Sequence, residues 1–273
     1  MMKTSSKEEP PSGGRWRHLI FIRCFIAYKF IEHLVAGTRV LDAGCGYGRG
    51  TDLLANKAGS VVGLDISIME ISYAKKRFKH DDLNFLWGDV LKLPFKDEAF
   101  DAIVSFQVIE HLREPEEYLS EIVRALKPRG LFAISTPNRE LRLAPGEKPW
   151  EPDHFQEFNS EQLGQLLRRY FEDVTIFGLK ASEKAEKAEL VRLQSLRSMS
   201  ILRKMHLYSL RDKIPERMKG FIWGVLSYLM ALNVKIRTSE ETFQTANSIN
   251  LSDFQFNEIR LLKKPLDILA ICR

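Results

Sequence analysis

Apolar and polar positions along this chain alternate between two rhythms. Short apolar runs at 39–42, 60–65, 83–86, 100–106, 131–135 and 174–179 predict six strands, and a run at 266–272 predicts a seventh. Between them, apolar positions recur at helical spacing. This predicts one or two helices over 15–34, a helix starting at Thr51, and further helices over 68–79, 116–126 and 160–170. Gly37 ends the first helical stretch, Lys127-Pro-Arg-Gly130 reads as a turn before the fifth strand, and Ser160-Glu-Gln resembles a helix start. Strands alternating with helices in this way predict an α/β fold, a mostly parallel sheet of seven strands with helices on both faces.

The rhythm breaks over 183–250, which is largely helical and shows no strand alternation. It reads as a helical insertion, a cap, placed before the last strand. The main domain is then 15–182 plus 251–273, and the polar, Pro/Gly-rich start at 1–14 reads as a disordered tail. With 44% apolar and 28% charged residues in 273, the chain resembles a soluble globular protein, which excludes wholesale disorder and collagen-like fibres. Cys24, Cys45 and Cys272 are scattered and give neither a disulfide framework nor a CxxC pair. The start has no apolar run of the secretory kind, so the expectation is a cytoplasmic protein.

Charge changes this picture in one place. The net charge is +5, yet residues 180–237 hold 13 Lys/Arg against 5 Asp/Glu, so the rest of the chain is slightly acidic. Arg203, Lys204, Arg211, Lys213, Arg217 and Lys219 precede an apolar run at 221–234, whose 14 residues fall short of a bilayer span. Cations beside an apolar stretch suit a helix lying in an anionic interface, with Trp223 and Tyr228 at headgroup depth. Peripheral membrane contact through 203–234 is therefore one expectation. A core helix with solvated cations is the other, and apolar runs of this length favour it.

The first strand runs directly into glycines, Asp42-Ala-Gly44-Cys-Gly46-Tyr-Gly48, and then into a helix. That order lets backbone approach a ligand closely. Neither the GxGxxG spacing nor a Gly-Lys-Ser/Thr element is present, which disfavours the dinucleotide and Walker readings. Asp65 ends the second strand 23 residues after Asp42, and Gly88-Asp89-Val90 follows the third. Carboxylates there can accept from a vicinal diol and from an exocyclic amine.

These residues resemble the class I S-adenosylmethionine-dependent methyltransferases. VLDAGCGYG (40–48) is similar to the family's first motif, and FDAIVSFQVIEHL (100–112) and LKPRGLFAISTPN (126–138) to its methyl-donor side. The resemblance is strong over 39–136 and continues more weakly to Leu179. It implies a Rossmann-like fold and S-adenosyl-L-methionine as cofactor, with S-adenosyl-L-homocysteine as product. It also implies a cofactor site built from Asp42, Gly44, Gly46, Gly48, Asp65, Ile66, Asp89, Val90 and Gln107. Asp65 would hold the ribose hydroxyls and Asp89 the adenine amine.

Methyl transfer from a sulfonium needs alignment, and a hydroxyl acceptor also benefits from a base. His111, directly after the fourth strand, and His154, in Pro152-Asp-His154-Phe, compete for that role. The resemblance gives both stretches counterparts in small-molecule, sugar or quinone O-methyltransferases. No second carboxylate at ligand spacing joins Glu110, so no metal is assigned. No Asn/Asp-Pro-Pro-Tyr element follows the fourth strand and no Cys sits near that loop, which disfavours base-amine and pyrimidine-carbon methylation. The expected acceptor is a hydroxyl on a sugar, a lipid-linked glycan or a quinone-like phenol. An RNA methyltransferase and a non-catalytic S-adenosylmethionine-binding protein are the alternatives. Nucleic acid is the less favoured partner because the basic segment lacks interleaved stacking aromatics.

Overall fold

The computed structural model describes residues 16–204, 240–262 and 264–273. The apolar runs become strands β1 (Arg39–Ala43), β2 (Ser60–Asp65), β3 (Leu83–Trp87), β4 (Phe100–Phe106), β5 (Leu126–Pro137), β6 (Val174–Ala181), β7 (Phe254–Glu258) and β8 (Asp267–Cys272). They form one sheet in the order β3-β2-β1-β4-β5-β8-β6-β7. Pairings among the first five strands are parallel, whereas β8 runs antiparallel to β5 and β6, and β7 antiparallel to β6.

The fold class is the expected one, with eight strands rather than seven. The added strand, β7, is short and pairs only with β6. The fifth strand also begins earlier than expected. Leu126 already pairs with Phe100, and 127–130 form an irregularity in that pairing, with Arg129 at φ 60, instead of a separate turn.

Around the sheet lie α1 (Arg17–Ile31), α2 (Arg49–Ala55), α3 (Ile68–Arg77), α4 (Pro115–Ala125), α5 (Arg139–Arg142), α6 (Ser160–Leu167), α7 (Glu183–Lys204) and α8 (Glu240–Asn247). Local chemistry sets several of their ends. The Ser67 side chain accepts from the Glu70 N–H at the start of α3, and Lys75, Lys76 and Arg77 crowd its carbonyl end. Pro115 opens α4 with Glu116 and Glu117 in the first turn, where the missing N–H costs nothing and the dipole favours acids. Asn159 and Gln162 make a reciprocal capping box, so the cap of α6 is Asn159 rather than Ser160.

Successive strand residues feed two cores. Val40, Val61, Ala102, Val104 and Leu131 pack under α1, α2 and α3 on one face. Leu41, Leu64, Ile103, Phe132 and Ile134 pack under α4 and α6 on the other. Burial on both faces is why the central strands read as continuous apolar runs. The first core extends to Ala185 and Ala188 of α7, which packs on β6, and to Ala246 of α8, which packs on α1 and α7, so both ends of the predicted insertion join that core. Residues 1–15 and 205–239, including Trp223, Tyr228 and most of the cation-rich stretch, lie outside the described residues. Among the described residues no helix is long and apolar enough to cross a membrane.

The chain leaves β1 toward β2 on one side and returns to β4 on the other. That reversal opens a crevice at the carboxyl ends of β1 and β4, where ligands settle in sheets of this kind.

Candidate functional site

The turn after β1 is tied to β2 by the N–H groups of Gly44 and Cys45, which donate to the Leu64 carbonyl at 2.8 and 3.0 Å. Its glycines do different things. A Cβ at Gly44 would meet Val108 at 2.3 Å, and one at Gly48 the Phe85 ring at 2.6 Å, so both serve close packing as well as positive φ. At Gly46 a Cβ would meet only the Glu70 carboxylate, at 3.4 Å, so this position faces open space beside acids.

Asp42 is fully buried at the end of β1. Thr51 Oγ1 donates to it at 2.7 Å and the Tyr28 hydroxyl at 3.1 Å, which pins α2 and α1 to the strand end and fixes the exit of the glycine turn. Burial pushes its carboxyl up to about 7, further than these hydrogen bonds pull it down.

Asp65 ends β2 half-buried. The N–H of Gly46 donates to one of its oxygens and that of Ser67 to the other, each at 2.8 Å. An ionised carboxylate has about four lone-pair sites, so each oxygen keeps one for a ligand hydroxyl. Beside it the Ile66 side chain is exposed, and Trp87 Nε1 donates to the Ile66 carbonyl at 2.9 Å. Asp89 is exposed and accepts from the Leu91 N–H, while Val90 is buried. Ile66, Asp65, Trp87 and Asp89 thus lie on neighbouring strand ends with apolar surface and free acceptors. Sequence reasoning missed Trp87 and Glu70; a Trp one residue before Gly88-Asp89 was the available signal for the first.

Gln107 leaves β4 at φ 59, a left-handed conformation uncommon for a non-glycine residue. Its N–H donates to the Ser135 carbonyl at 2.9 Å. This bend directs the chain into the short turn Ile109–His111 and toward a cavity of about 230 Å³ at the ends of β4 and β5. The cavity takes Gln107, Glu110 and His111 from that turn, Glu151, Asp153 and His154 from the loop before α6, Ile20, Arg23 and Cys24 from α1, and Arg192 from α7. Folding therefore brings His111 and His154 together, with ring centroids 4.7 Å apart, edge to face.

The two imidazoles differ in what they can do. His154 is buried; its Nε2 lies 2.8 Å from Glu151 and its Nδ1 3.0 Å from Glu157. Burial alone would lower its pKa, but the hydrogen bonds to Glu151 and Glu157 outweigh it and raise the pKa to about 9. An imidazolium with both N–H groups engaged has no lone pair to take a proton. His111 is over a third exposed, and its Nδ1–H donates to the Asp153 carbonyl at 3.0 Å. That bond assigns the tautomer and leaves Nε2 as an acceptor. Between them Glu110 is buried, accepts from Thr136 Oγ1 at 2.9 Å, and is pushed up to about 7 by burial. Glu110, His111 and His154 could converge on a metal ion, as could Glu151, Asp153 and His154. Neither set joins a second carboxylate to Glu110, and His154 spends both nitrogens on carboxylates.

These shifts fix a pH dependence. His154 has its pKa raised from 6.5 to about 9 in the folded state, so its stabilisation is complete below 6.5 and is lost as pH rises through about 9. Asp42 and Glu110, raised to about 7, contribute less as pH climbs from about 4 to 7. The melting temperature is expected to fall by about 4–10 °C between pH 6.5 and 9, with much of the fall absent in His154→Gln. A flat or rising profile in scanning calorimetry over that range would remove the imidazolium assignment.

Comparison with known proteins places this geometry. A family model for a methyltransferase domain matches residues 41–134, from β1 into β5. A protein of Mycolicibacterium smegmatis named as a probable S-adenosylmethionine-dependent methyltransferase is 40% identical over 148 residues, covering 54% of this chain and 56% of its own length. A similarly named protein of Mycobacterium tuberculosis is 34% identical over 161 residues, covering 58% of each. The chain thus spans little more than half the length of the curated relatives it matches. Among solved structures, an S-adenosylmethionine-dependent methyltransferase from Thermotoga maritima shares the fold at TM-score 0.56 and 16% identity, over 94% of this chain and 92% of that one. The cyclase SpnF shares it at TM-score 0.52 and 20% identity, over 94% and 81%. Residues 41–134 thus match a methyltransferase domain, and over that stretch the chain is similar to proteins named as S-adenosylmethionine-dependent methyltransferases and shares their fold.

Proposed function

We propose that this protein transfers a methyl group from S-adenosylmethionine to a hydroxyl on a sugar, a lipid-linked glycan or a quinone-like phenol. The observation that carries the reading is adjacency: the open lone pairs of Asp65 and the exposed Asp89 lie on one side of Gln107, and a polar cavity containing His111 lies on the other. The residues present fit the cofactor. Gly46 leaves room in front of Asp65, Ile66 and Trp87 offer apolar surface for a base, and Asp89 offers an acceptor. Asp42, fully buried, acts by holding the turn in place.

S-adenosylmethionine supplies a methyl group already activated on a sulfonium. The chain's own part is to align the acceptor and remove its proton. His111 Nε2 takes that proton, and the Asp153 carbonyl on Nδ1–H keeps the ring in the required tautomer. His154, held cationic, anchors the loop that carries Asp153. A relative of Mycobacterium leprae named as a phthiotriol/phenolphthiotriol dimycocerosates methyltransferase, 31% identical over 159 residues, supports a lipid-borne acceptor. The same fold in a cyclase shows that architecture alone does not decide the reaction, so the test must follow the methyl group.

Asp65→Ala leaves the diol unpaired and is expected to weaken S-adenosylmethionine binding by about 1–3 kcal/mol, roughly 5- to 150-fold, in calorimetry. Labelled donor should also mark a hydroxyl compound in extracts. Wild-type affinity in the variant would refute the ribose assignment, and tight dinucleotide binding without donor binding would refute the function.

A further inference from the structure

We infer that the acceptor cavity is built for a neutral, polyhydroxylated ligand, a sugar ring, and that Arg142 with Glu151 positions one of its hydroxyls. This rests on the methyltransferase reading above and selects among its acceptors.

The first observation is the balance of charge around the cavity. Each cation in its wall is matched by acids. Arg23 pairs with Asp267 and Glu189, Arg192 with Glu189, Arg142 with Glu157, and His154 with Glu151 and Glu157. Arg23, Arg142, Arg192 and His154 are all buried, with few routes to exchange these partners for a ligand. Among the described residues no surplus positive charge remains for a phosphate or carboxylate, so an anionic acceptor would meet paired cations and nearby acids. The second observation is that apolar side chains are few in the wall, although apolar atoms make up about half of its surface. Among the described residues only Ile20, Cys24 and Pro137 contribute apolar side chains, and no aromatic ring other than the two imidazoles does. A phenol or quinone wants an apolar slot, whereas a sugar wants a dense set of donors and acceptors with a small apolar face.

The third observation is an under-used donor. Arg142 Nε gives both of its contacts to Glu157 at 3.1 Å. Its Nη2 is ion-paired with Glu151 Oε1 at 3.1 Å, but at an angle that falls short of a hydrogen bond, so this buried donor is not fully used. Such a group is rare in a folded protein and calls for an explanation. Glu151 is the partly exposed member of the pair, at 24% side-chain exposure, and can swing outward. A ligand hydroxyl entering between them would accept from Arg142 Nη2–H and donate to Glu151. Only a group that both accepts and donates can bridge that gap; a phosphate oxygen cannot.

Saturation-transfer NMR on the S-adenosylhomocysteine-loaded protein tests this with methyl hexopyranosides, catechol and hexose 1-phosphates as probes. At least one neutral glycoside should bind, more tightly than catechol or any phosphate. Arg142→Lys, which keeps the charge but removes the planar fork, should weaken it at least about tenfold, and Glu151→Gln should do so if the lysine variant fails to fold. Binding of catechol or a hexose phosphate in preference to every glycoside, or no glycoside binding at all, overturns the inference. Neither result touches the methyltransferase reading, which fails instead if S-adenosylhomocysteine itself does not bind. Transfer of labelled methyl to free oligosaccharide against polyprenyl-diphosphate-linked oligosaccharide then separates the two sources of the sugar.

Discussion

Replacing His111 with Asn or Ala is expected to lower turnover by about 10²–10⁴-fold while leaving S-adenosylmethionine affinity within about twofold of the parent. The size follows from proton transfer in the transition state, and the selectivity from position. His111 sits beyond Gln107 on the cavity side, away from Asp65 and Asp89, so its loss removes nothing that holds the nucleotide. The hydrogen bond from Nδ1–H to the Asp153 carbonyl leaves Nε2 free to accept a proton. His154 supplies the contrast. Both of its nitrogens are committed to Glu151 and Glu157, and its pKa is raised to about 9. His154→Gln should therefore show first in stability and in its pH dependence, with any loss of turnover following from a displaced loop. Single-turnover measurements at saturating acceptor decide between them. Parental turnover in His111→Asn would mean that alignment alone carries the reaction.

The parts of this molecule legible in sequence are those governed by local rules. Strands buried on both faces must be apolar nearly throughout, so β1, β2 and β4 appeared with almost their observed limits. The glycine turn and the acids after it were legible because each demand is met within a few residues. Strand β7 was not, because Phe254-Gln-Phe-Asn-Glu258 is five residues of weak alternation at an edge, flanked by short turns. The charged wall of the cavity was hidden for a different reason. Arg23, Glu189 and Asp267 are separated by 166 and 244 positions, and each looks like an ordinary solvated charge on its own element. Only the fold shows that they share one buried site. The difference in surroundings between His111 and His154 was hidden in the same way, since it depends on Glu151 and Glu157 closing over one ring and not the other.

That wall also sets the second large effect expected, on stability. Arg23→Met should destabilise the protein by about 3–5 kcal/mol and lower its melting temperature by roughly 6–20 °C. Arg23, on α1, donates from Nε and Nη2 to the two oxygens of Asp267 at the start of β8, and from Nη1 to Glu189 on α7. All three are buried. Removing the guanidinium leaves Glu189 its contact with Arg192, but strips the buried Asp267 of its ion pair. The cost is that of an orphaned buried carboxylate, which is why it exceeds the value of most surface pairs. A companion substitution checks the cause. Asp267→Asn placed on Arg23→Met removes the stranded charge and should restore part of the loss, giving a coupling energy of about 1–3 kcal/mol in a double-mutant cycle. Because the same guanidinium joins α1 and α7 beside the acceptor cavity, Arg23→Met should also loosen acceptor binding while S-adenosylmethionine binding holds. Additive losses in the double variant would show instead that Arg23 stabilises by packing its aliphatic stem, with no special debt owed by Asp267.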